Sequence, residues 1–222
     1  WQGQITELQN KGQYPFALQQ ATQVQISPQQ QRLQGMVLQV AKSDIHIQSL
    51  DYSSTTGLST QGFARAVALN DIVEFANQGE PLNTTLRFNA DWNLQLNDGL
   101  NGSFNIERQE GDFDAIGKGK LLLGIKTLGL RIVAQQNNIQ GEATFISSRA
   151  GQASASFSTK VAKQNNTWGL PSSSPFELKV DADMQSLAWL AALSSTKRVL
   201  VDGQLNAHIK GRGTIASPIF SG

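Results

Sequence analysis

The sequence predicts an all-β fold, an antiparallel meander of long amphipathic strands, and three features of the chain lead to this expectation. Apolar and polar residues alternate over long stretches, and short segments rich in Gly, Asn and Asp separate these stretches. Helical spacing of apolar residues is confined to two short segments, at 70–77 and 186–194. Because neighbouring side chains in a strand point to opposite faces, each strand would have one apolar and one polar face.

The clearest alternation runs from Leu82 to Ile106, where the even positions are mostly apolar and the odd positions polar. Asn97-Asp98-Gly99 interrupts it. These three residue types tolerate the positive φ angles of a tight turn, so the segment predicts two strands joined as a hairpin.

Further strands are predicted downstream of this hairpin, with a turn at 136–138. They cover 128–134, 139–145, 153–161, 176–184 and 201–209, and weaker alternation occurs at 16–18, 24–26, 36–40 and 45–47. Short connections make successive strands antiparallel neighbours. The two helices, with Asn70, Asp71 and Ser186 as caps, suggest repeat units of about 1–78 and 79–194, with a further unit from about 197.

The composition argues against several classes of protein. Eighteen basic and 17 acidic residues give a formal charge of +1, so the basic patch expected of a nucleic-acid-binding protein is missing. The chain has no cysteine, which excludes disulfides and thiolate metal sites. The chain starts at Trp1 and stops at Gly222 directly after an apolar stretch, so we interpret it as a single β segment of a longer protein.

The sequence also lacks a pattern expected of an active site. His46 and His208 each stand alone in an alternating stretch, so a catalytic triad or zinc site is not predicted. Four acidic residues at 107, 110, 112 and 114 are interpreted as a solvated turn, because their spacing does not match a calcium loop. We therefore expect no enzymatic activity, no metal and no cofactor.

The apolar face is the remaining candidate for a functional surface. A β-sandwich or closed barrel would bury such a face as ordinary core. Long strands twist and curl strongly, however, and an open trough would leave the apolar face free to hold acyl chains. A β-solenoid is a further alternative, and the alternation alone leaves all of these folds open.

The C-terminal segment carries a family resemblance. Residues 201–222 read VDGQLNAHIKGRGTIASPIFSG and resemble a recurring unit of the TamB family, with a strand G-x-L-x-A-x-I-x-G followed by G-T-I-A-x-P-x-x-x-G. Residues 90–96, leading to 100–104, are similar to the tryptophan-containing strand of that family and its successor, and 149–153 are similar to a third motif. The resemblance covers roughly residues 60–222.

The resemblance implies a specific fold and function. Members of the family, relatives of AsmA and of the eukaryotic bridge-like lipid-transfer proteins, are anchored in the inner membrane and cross the bacterial periplasm as a U-shaped trough, or β-taco. It implies transport of phospholipid towards the outer membrane and partnership, in a translocation and assembly module, with an outer-membrane β-barrel of the Omp85 type. The predicted lining of the lipid groove is Leu86, Phe88, Trp92, Leu94, Leu96, Phe104, Ile106, Leu128, Leu130, Ile132, Ile139, Phe145, Phe157, Phe176, Leu178, Val180, Leu205 and Ile209.

Two other functions are weighed against lipid transfer. The first is a scaffold for assembling outer-membrane proteins and autotransporters, whose strand edges would template nascent β-proteins by strand addition. The second is a closed β-sandwich that acts as an adhesin or spacer. A continuous open apolar face favours lipid transfer, a long free edge beside a filled interior favours assembly, and two sheets in face-to-face contact favour the spacer.

Overall fold

The structure, a computed structural model, describes residues 1–12, 14–77, 84–117, 119–164, 167–188 and 201–222. Within these residues, 15 strands belong to one antiparallel sheet, and two further hairpins form two-stranded sheets of their own. The hydrogen-bonding order of the sheet has two ends, β1 and β19, and does not close on itself. The predicted all-β, antiparallel fold is therefore confirmed.

The strands vary from 2 to 12 residues in length. They are β1 (Gln2–Ile5), β2 (Gln9–Asn10), β3 (Phe16–Leu18), β4 (Thr22–Ile26), β5 (Gln30–Val40), β6 (Ser43–Ser53), β7 (Gly57–Ala68), β8 (Arg87–Leu96), β9 (Leu100–Glu110), β10 (Asp114–Gly117), β11 (Gly119–Leu122), β12 (Ile125–Gln135), β13 (Asn138–Ser147), β14 (Gly151–Lys160), β15 (Ala162–Gln164), β16 (Thr167–Gly169), β17 (Pro175–Met184), β18 (Leu205–Thr214) and β19 (Ser217–Ser221).

The first of two compact units comprises residues 1–82 and 86–110. Its strands follow the order β1, β4, β5, β6, β7, β8 and β9, with β3 paired to β5 and to β2. From β4 to β9 each strand pairs with its neighbour in the chain, as the meander predicts. Strands β5 to β9 have 10 to 12 residues, about twice the usual strand length of five or six.

The second unit comprises residues 83–85 and 111–222. Its part of the sheet follows the order β12, β13, β14, β17, β18 and β19. The hairpin β10–β11 precedes β12, and the hairpin β15–β16 lies in the connection between β14 and β17. The compact units divide at 110/111, whereas the predicted repeat divides at 78/79, and that repeat stays a prediction.

Both turns predicted from residue type are confirmed. Between β8 and β9, the amide of Asn97 donates to the Gly99 carbonyl at 3.3 Å, and the Gly99 amide donates to Oδ1 of Asn97 at 3.3 Å. Between β12 and β13, Gln136 and Asn137 adopt φ angles of 47° and 72°. A two-residue turn with both φ angles positive matches the twist of the strands that it joins.

A short helix, α1 (Leu69–Asn77), lies where the first helix is predicted, between β7 and β8. The Ser43 hydroxyl donates to Oδ2 of Asp71 at 2.7 Å, and the rings of Tyr14 and Phe75 lie 5.3 Å apart. These contacts hold the helix against the start of β6 and the connection between β2 and β3. Among the described residues, no helix is long and apolar enough to cross a membrane.

The second predicted helix, 186–194, falls largely outside the described residues. At its start the amide of Ala188 donates to the Ser186 hydroxyl at 3.3 Å. This is the hydrogen bond expected of an N-terminal cap, but the helix itself stays a prediction.

Few apolar side chains of the described residues are fully buried. Leu86 is 1% exposed, although it lies one residue before β8, and its carbonyl accepts a hydrogen bond from the Leu69 amide at the start of α1. The remaining buried apolar residues are Met36, Ala64, Phe88, Leu123, Ile125, Ala134, Ala150 and Met184. A core this small leaves most of the predicted apolar face at the surface.

Candidate functional site

One face of the second unit is apolar across six strands. Residues that lie directly opposite each other in neighbouring antiparallel strands project to the same side of the sheet, so the strand register identifies the residues of this face. The apolar face of the second unit consists of Leu128, Leu130, Ile132, Ala134, Ile139, Gly141, Ala143, Phe145, Ala153, Ala155, Phe157, Thr159, Phe176, Leu178, Val180, Ala182, Met184, Leu205, Ala207, Ile209, Gly211, Gly213, Pro218 and Phe220. It contains all eleven lining residues that the sequence predicts between 128 and 209.

The side chains on the apolar face of the second unit remain partly exposed. Nine of those eleven side chains are half-buried, and the other two, Leu205 and Ile209, are 43% and 40% exposed. Inward-facing residues of a packed sandwich would lie in a close-packed core between two sheets. Leu178 and Val180 lie on β17, which has a strand on each side, and still keep part of their surface accessible.

The first unit has an apolar face of the same kind on β8 and β9. Trp92 faces Phe104, Leu94 faces Gly102, and Ala90 faces Ile106. Five predicted lining residues therefore share this face, namely Trp92, Leu94, Leu96, Phe104 and Ile106, and all five are half-buried. Of the other two predicted residues, Phe88 faces Val67 on the same side but is only 8% exposed, and Leu86, which precedes β8, is 1% exposed, so both belong to the core.

The apolar face of the first unit extends over strands whose lining the sequence did not identify. Register adds Val24, Leu33, Leu38, Val40, Ile45, Ile47, Leu50, Tyr52, Leu58, Thr60, Gly62, Ala64 and Val67 to the residues of β8 and β9. Several of them are well exposed, with Leu50 and Leu58 at 37% and Tyr52 at 48%. The face is therefore as open as that of the second unit.

The opposite face of the first unit is polar. One row of amide and hydroxyl side chains crosses seven strands, formed by Gln4, Gln23, Gln34, Ser49, Gln61, Asn93 and Ser103. Ion pairs between Arg32 and Asp51 and between Arg65 and Asp91 join neighbouring strands on the same side. The two faces of the sheet thus differ sharply in polarity.

His46 lies on the polar face of the first unit and His208 on the side of the second unit opposite its apolar face, and no triad around either of them is seen among the described residues. Nδ1 of His208 lies 2.7 Å from Oδ1 of Asp181, but the register places Asp181 between Ser154 and His208. A triad needs the imidazole between the hydroxyl and the carboxylate. His46 stacks on Phe63 at 4.6 Å between ring centroids. Among the described residues, no three His, Asp or Glu side chains are grouped so as to hold a metal ion.

The surroundings of Asp181 change its ionisation. The ammonium of Lys179, at 2.8 Å from Oδ2, and the hydrogen bond with His208 both hold the pKa of the Asp181 carboxyl below its usual value. A carboxyl whose pKa falls on folding adds stability above its unfolded pKa, and this is lost as the pH falls through the folded value. The pair is partly exposed, so the gain is small.

We predict that Lys179→Met raises the pKa of Asp181 towards that of an ordinary aspartate, because the ammonium is the largest cause of the shift. NMR titration of the Asp181 carboxyl carbon measures this directly. His208→Gln, as a comparison, should move the midpoint less. An unchanged midpoint in Lys179→Met would show that the contact is not maintained in solution.

One of the four clustered acids has a structural role that the sequence did not reveal. Asp112 lies outside the strands, where Oδ1 accepts from the Phe113 amide at 2.8 Å and Oδ2 from the Gly124 amide at 2.7 Å. Its carbonyl accepts from the Thr85 amide at 2.9 Å. Asp112 therefore fastens three backbone segments of the second unit together rather than being solvated in a turn.

Comparison with known proteins does not identify the chain. No family model, no curated protein and no solved structure matches it. The candidate site is therefore defined by the two apolar faces and by the chemistry of the residues beside them.

Proposed function

We propose that this chain is a periplasmic segment of a TamB-type lipid-transfer protein and that its apolar faces hold phospholipid acyl chains between the inner and outer membranes. The observation that carries this proposal is the partly exposed apolar face that crosses six strands of the second unit. Soluble proteins rarely leave large contiguous apolar patches exposed unless the patches bind something. The parent protein would be anchored in the inner membrane and would meet an outer-membrane barrel of the Omp85 type.

A passive mechanism is sufficient for this function. Removing each methylene group of an acyl chain from water contributes about 0.8 kcal/mol, so a two-chain lipid needs no specific polar contact to be retained. The groove wall presents aliphatic and aromatic side chains of similar character at every strand, so a chain could move from strand to strand while its headgroup stays in water. The bent, U-shaped form of the trough is part of this proposal.

The test compares two pairs of aspartates on opposite faces of the same sheet. Val180→Asp with Ile209→Asp places two carboxylates on the apolar face of the second unit, at half-buried or exposed positions where folding should tolerate them. Ser156→Asp with Asn206→Asp adds the same charge on the polar face. Phe88 is unsuitable for such a test because it is buried in the core.

We expect phospholipid to co-purify with the wild-type chain and with the polar-face variant expressed in a bacterial host. The apolar-face variant should lose lipid by roughly tenfold or more, since desolvating an unpaired carboxylate costs well over the 1.4 kcal/mol that a factor of ten requires. Native mass spectrometry with lipid extraction measures the loading, and circular dichroism checks the fold. A lipid-free wild type, or full loading of the apolar-face variant, would refute the proposal.

Binding of unfolded outer-membrane protein by a lipid-free chain would instead favour the assembly scaffold.

A further inference from the structure

Two glycines on the apolar face of the second unit lie under aromatic rings. A methyl group built on Gly141 would overlap Cε1 and Cζ of Phe157 and would come within 2.9 Å of its Cδ1. A methyl group on Gly211 would lie 2.9 Å from Cε1 of Phe220 and 3.0 Å from Cε1 of Phe176. Each ring therefore rests against the bare backbone of the neighbouring strand. Aromatic residues across from glycines cover the exposed backbone in this way.

A ring in this position lies low over the sheet. The two pairs belong to one row across the strands, in which Gly141, Phe157, Leu178, Gly211 and Phe220 follow one another. In the neighbouring row, Ala143 faces Ala155. The rings and the small side chains beside them form a low, smooth surface, and the aliphatic side chains of the same face border it.

The same arrangement occurs independently in the first unit. Gly62 faces Trp92, and a methyl group on Gly62 would overlap Cζ2 of the indole. Two residues further along, Ala64 faces Ala90. The indole Nε1 donates to the Thr60 hydroxyl at 3.2 Å, which fixes the orientation of the ring and satisfies its only polar group.

From these contacts we infer that the glycine–aromatic pairs set the depth of the lipid groove and thereby determine which acyl chains it accepts. The inference rests on the proposed function. A deep groove accommodates a kinked, cis-unsaturated chain, whose cross-section is larger than that of a straight saturated chain. Side chains that lift the rings would make the groove shallow, and the unsaturated chain would be lost first. The pairs are thus specificity-determining residues for the groove.

Gly141→Ala tests this inference with little risk to the fold. Gly141 does not have a positive φ angle, and its nearest neighbours are atoms at the end of the Phe157 side chain, which can swing away. Gly62 is less suitable because a methyl group there would also overlap the backbone carbonyl oxygen of His46. Gly169→Ala is the matched control, since nothing lies within 4 Å of the added methyl group.

The chains are loaded from vesicles containing equal amounts of dioleoyl and dipalmitoyl phosphatidylcholine, at a temperature at which both lipids are fluid, and bound lipid is analysed by mass spectrometry. We expect wild type and Gly169→Ala to take up both lipids in the same ratio. In Gly141→Ala the ratio of dioleoyl to dipalmitoyl lipid should fall about tenfold, the factor produced by a methylene-sized misfit in an apolar pocket. Adding Phe157→Leu to Gly141→Ala should restore the ratio.

The outcomes separate the inference from the function on which it rests. A wild type that takes up neither lipid overturns the proposed function and this inference with it. A loaded wild type with an unchanged ratio in Gly141→Ala overturns the inference alone. Failure of Phe157→Leu to restore the ratio would show that the ring does not mediate the effect.

Discussion

Leu86→Ala is expected to lower the free energy of unfolding by about 2–5 kcal/mol, as truncation of a buried leucine does. Leu58→Ala, which removes the same atoms from the same unit, should lower it by less, about 1–2 kcal/mol, because part of the Leu58 surface stays in water and the truncation leaves no enclosed cavity. Leu86 is 1% exposed and Leu58 is 37% exposed. Urea denaturation of both variants, followed by circular dichroism, measures the difference.

The difference in stability between Leu86→Ala and Leu58→Ala shows whether the apolar face is exposed or is packed as core. In a β-sandwich both side chains would lie between two sheets, and both truncations would leave cavities. Equal losses of stability in the two variants would therefore mean that the apolar face is covered in solution, and the lipid-binding proposal would fail for the first unit. Leu94→Ala, at a half-buried position of the same face, should give an intermediate loss.

If the difference is observed, a residue of the apolar face contributes less to folding than a residue of the core. Such a face can change its occupant without unfolding the sheet, which a transport protein requires. The polar face provides the cross-strand contacts that remain when lipid leaves, including the ion pair between Arg65 and Asp91. The apolar face would thus bind lipid, and the polar face would help to hold neighbouring strands together.

The sequence predicted which residues share the apolar face best where the strands are regular. In β13 and β14 the register is unbroken from Asn138 to Ser147, so counting every second residue identifies the face correctly. Hairpin turns such as Asn97–Gly99 could be located because their residue types tolerate positive φ angles. These parts of the fold depend on local chemistry, which a single sequence contains.

The lining of β5, β6 and β7 was missed because bulges reverse the alternation. In β6 the apolar side changes from Ile47 to Leu50 across an irregularity at that point of the register. In β7 it changes from Ala64 to Val67, with Ala66 at a φ angle of 52°. One extra residue moves every later side chain to the other face. Nothing in the local composition marks these positions.

Contacts between distant residues were missed for a different reason. The pairing of Asp181 with His208 depends on the register of β17 against β18, and their separation of 27 residues gives no sign of it. Leu86 has the alternation of a lining residue, but it is only 1% exposed, and its carbonyl accepts from the Leu69 amide at the start of α1. Tertiary placement decides both cases, and the alternation pattern contains no information about it.

Alanine replacements at Gly102, Gly203 and Gly169 distinguish the cost of backbone strain from the cost of steric overlap. Gly102→Ala is expected to lower stability the most. Gly102 has a φ angle of 125°, and a methyl group there would overlap the carbonyl oxygen of Asn93 on β8. We expect a loss of about 3 kcal/mol or more in the free energy of unfolding, from the strained φ angle and the overlap together. Gly203 has a φ angle of 133° but nothing within 4 Å of an added methyl group, so Gly203→Ala should cost about 1–3 kcal/mol from strain alone.

Gly169 has neither a positive φ angle nor a neighbour within 4 Å, so Gly169→Ala should leave stability unchanged or raise it by about 0.4–1 kcal/mol through the unfolded chain. Urea denaturation of the three variants gives the order directly. Equal losses for Gly102→Ala and Gly203→Ala would mean that β8 and β9 separate to admit the methyl group. That outcome would matter for the groove, because Gly102 faces Leu94 on the apolar face, and a floor that yields at this point would not hold a fixed depth.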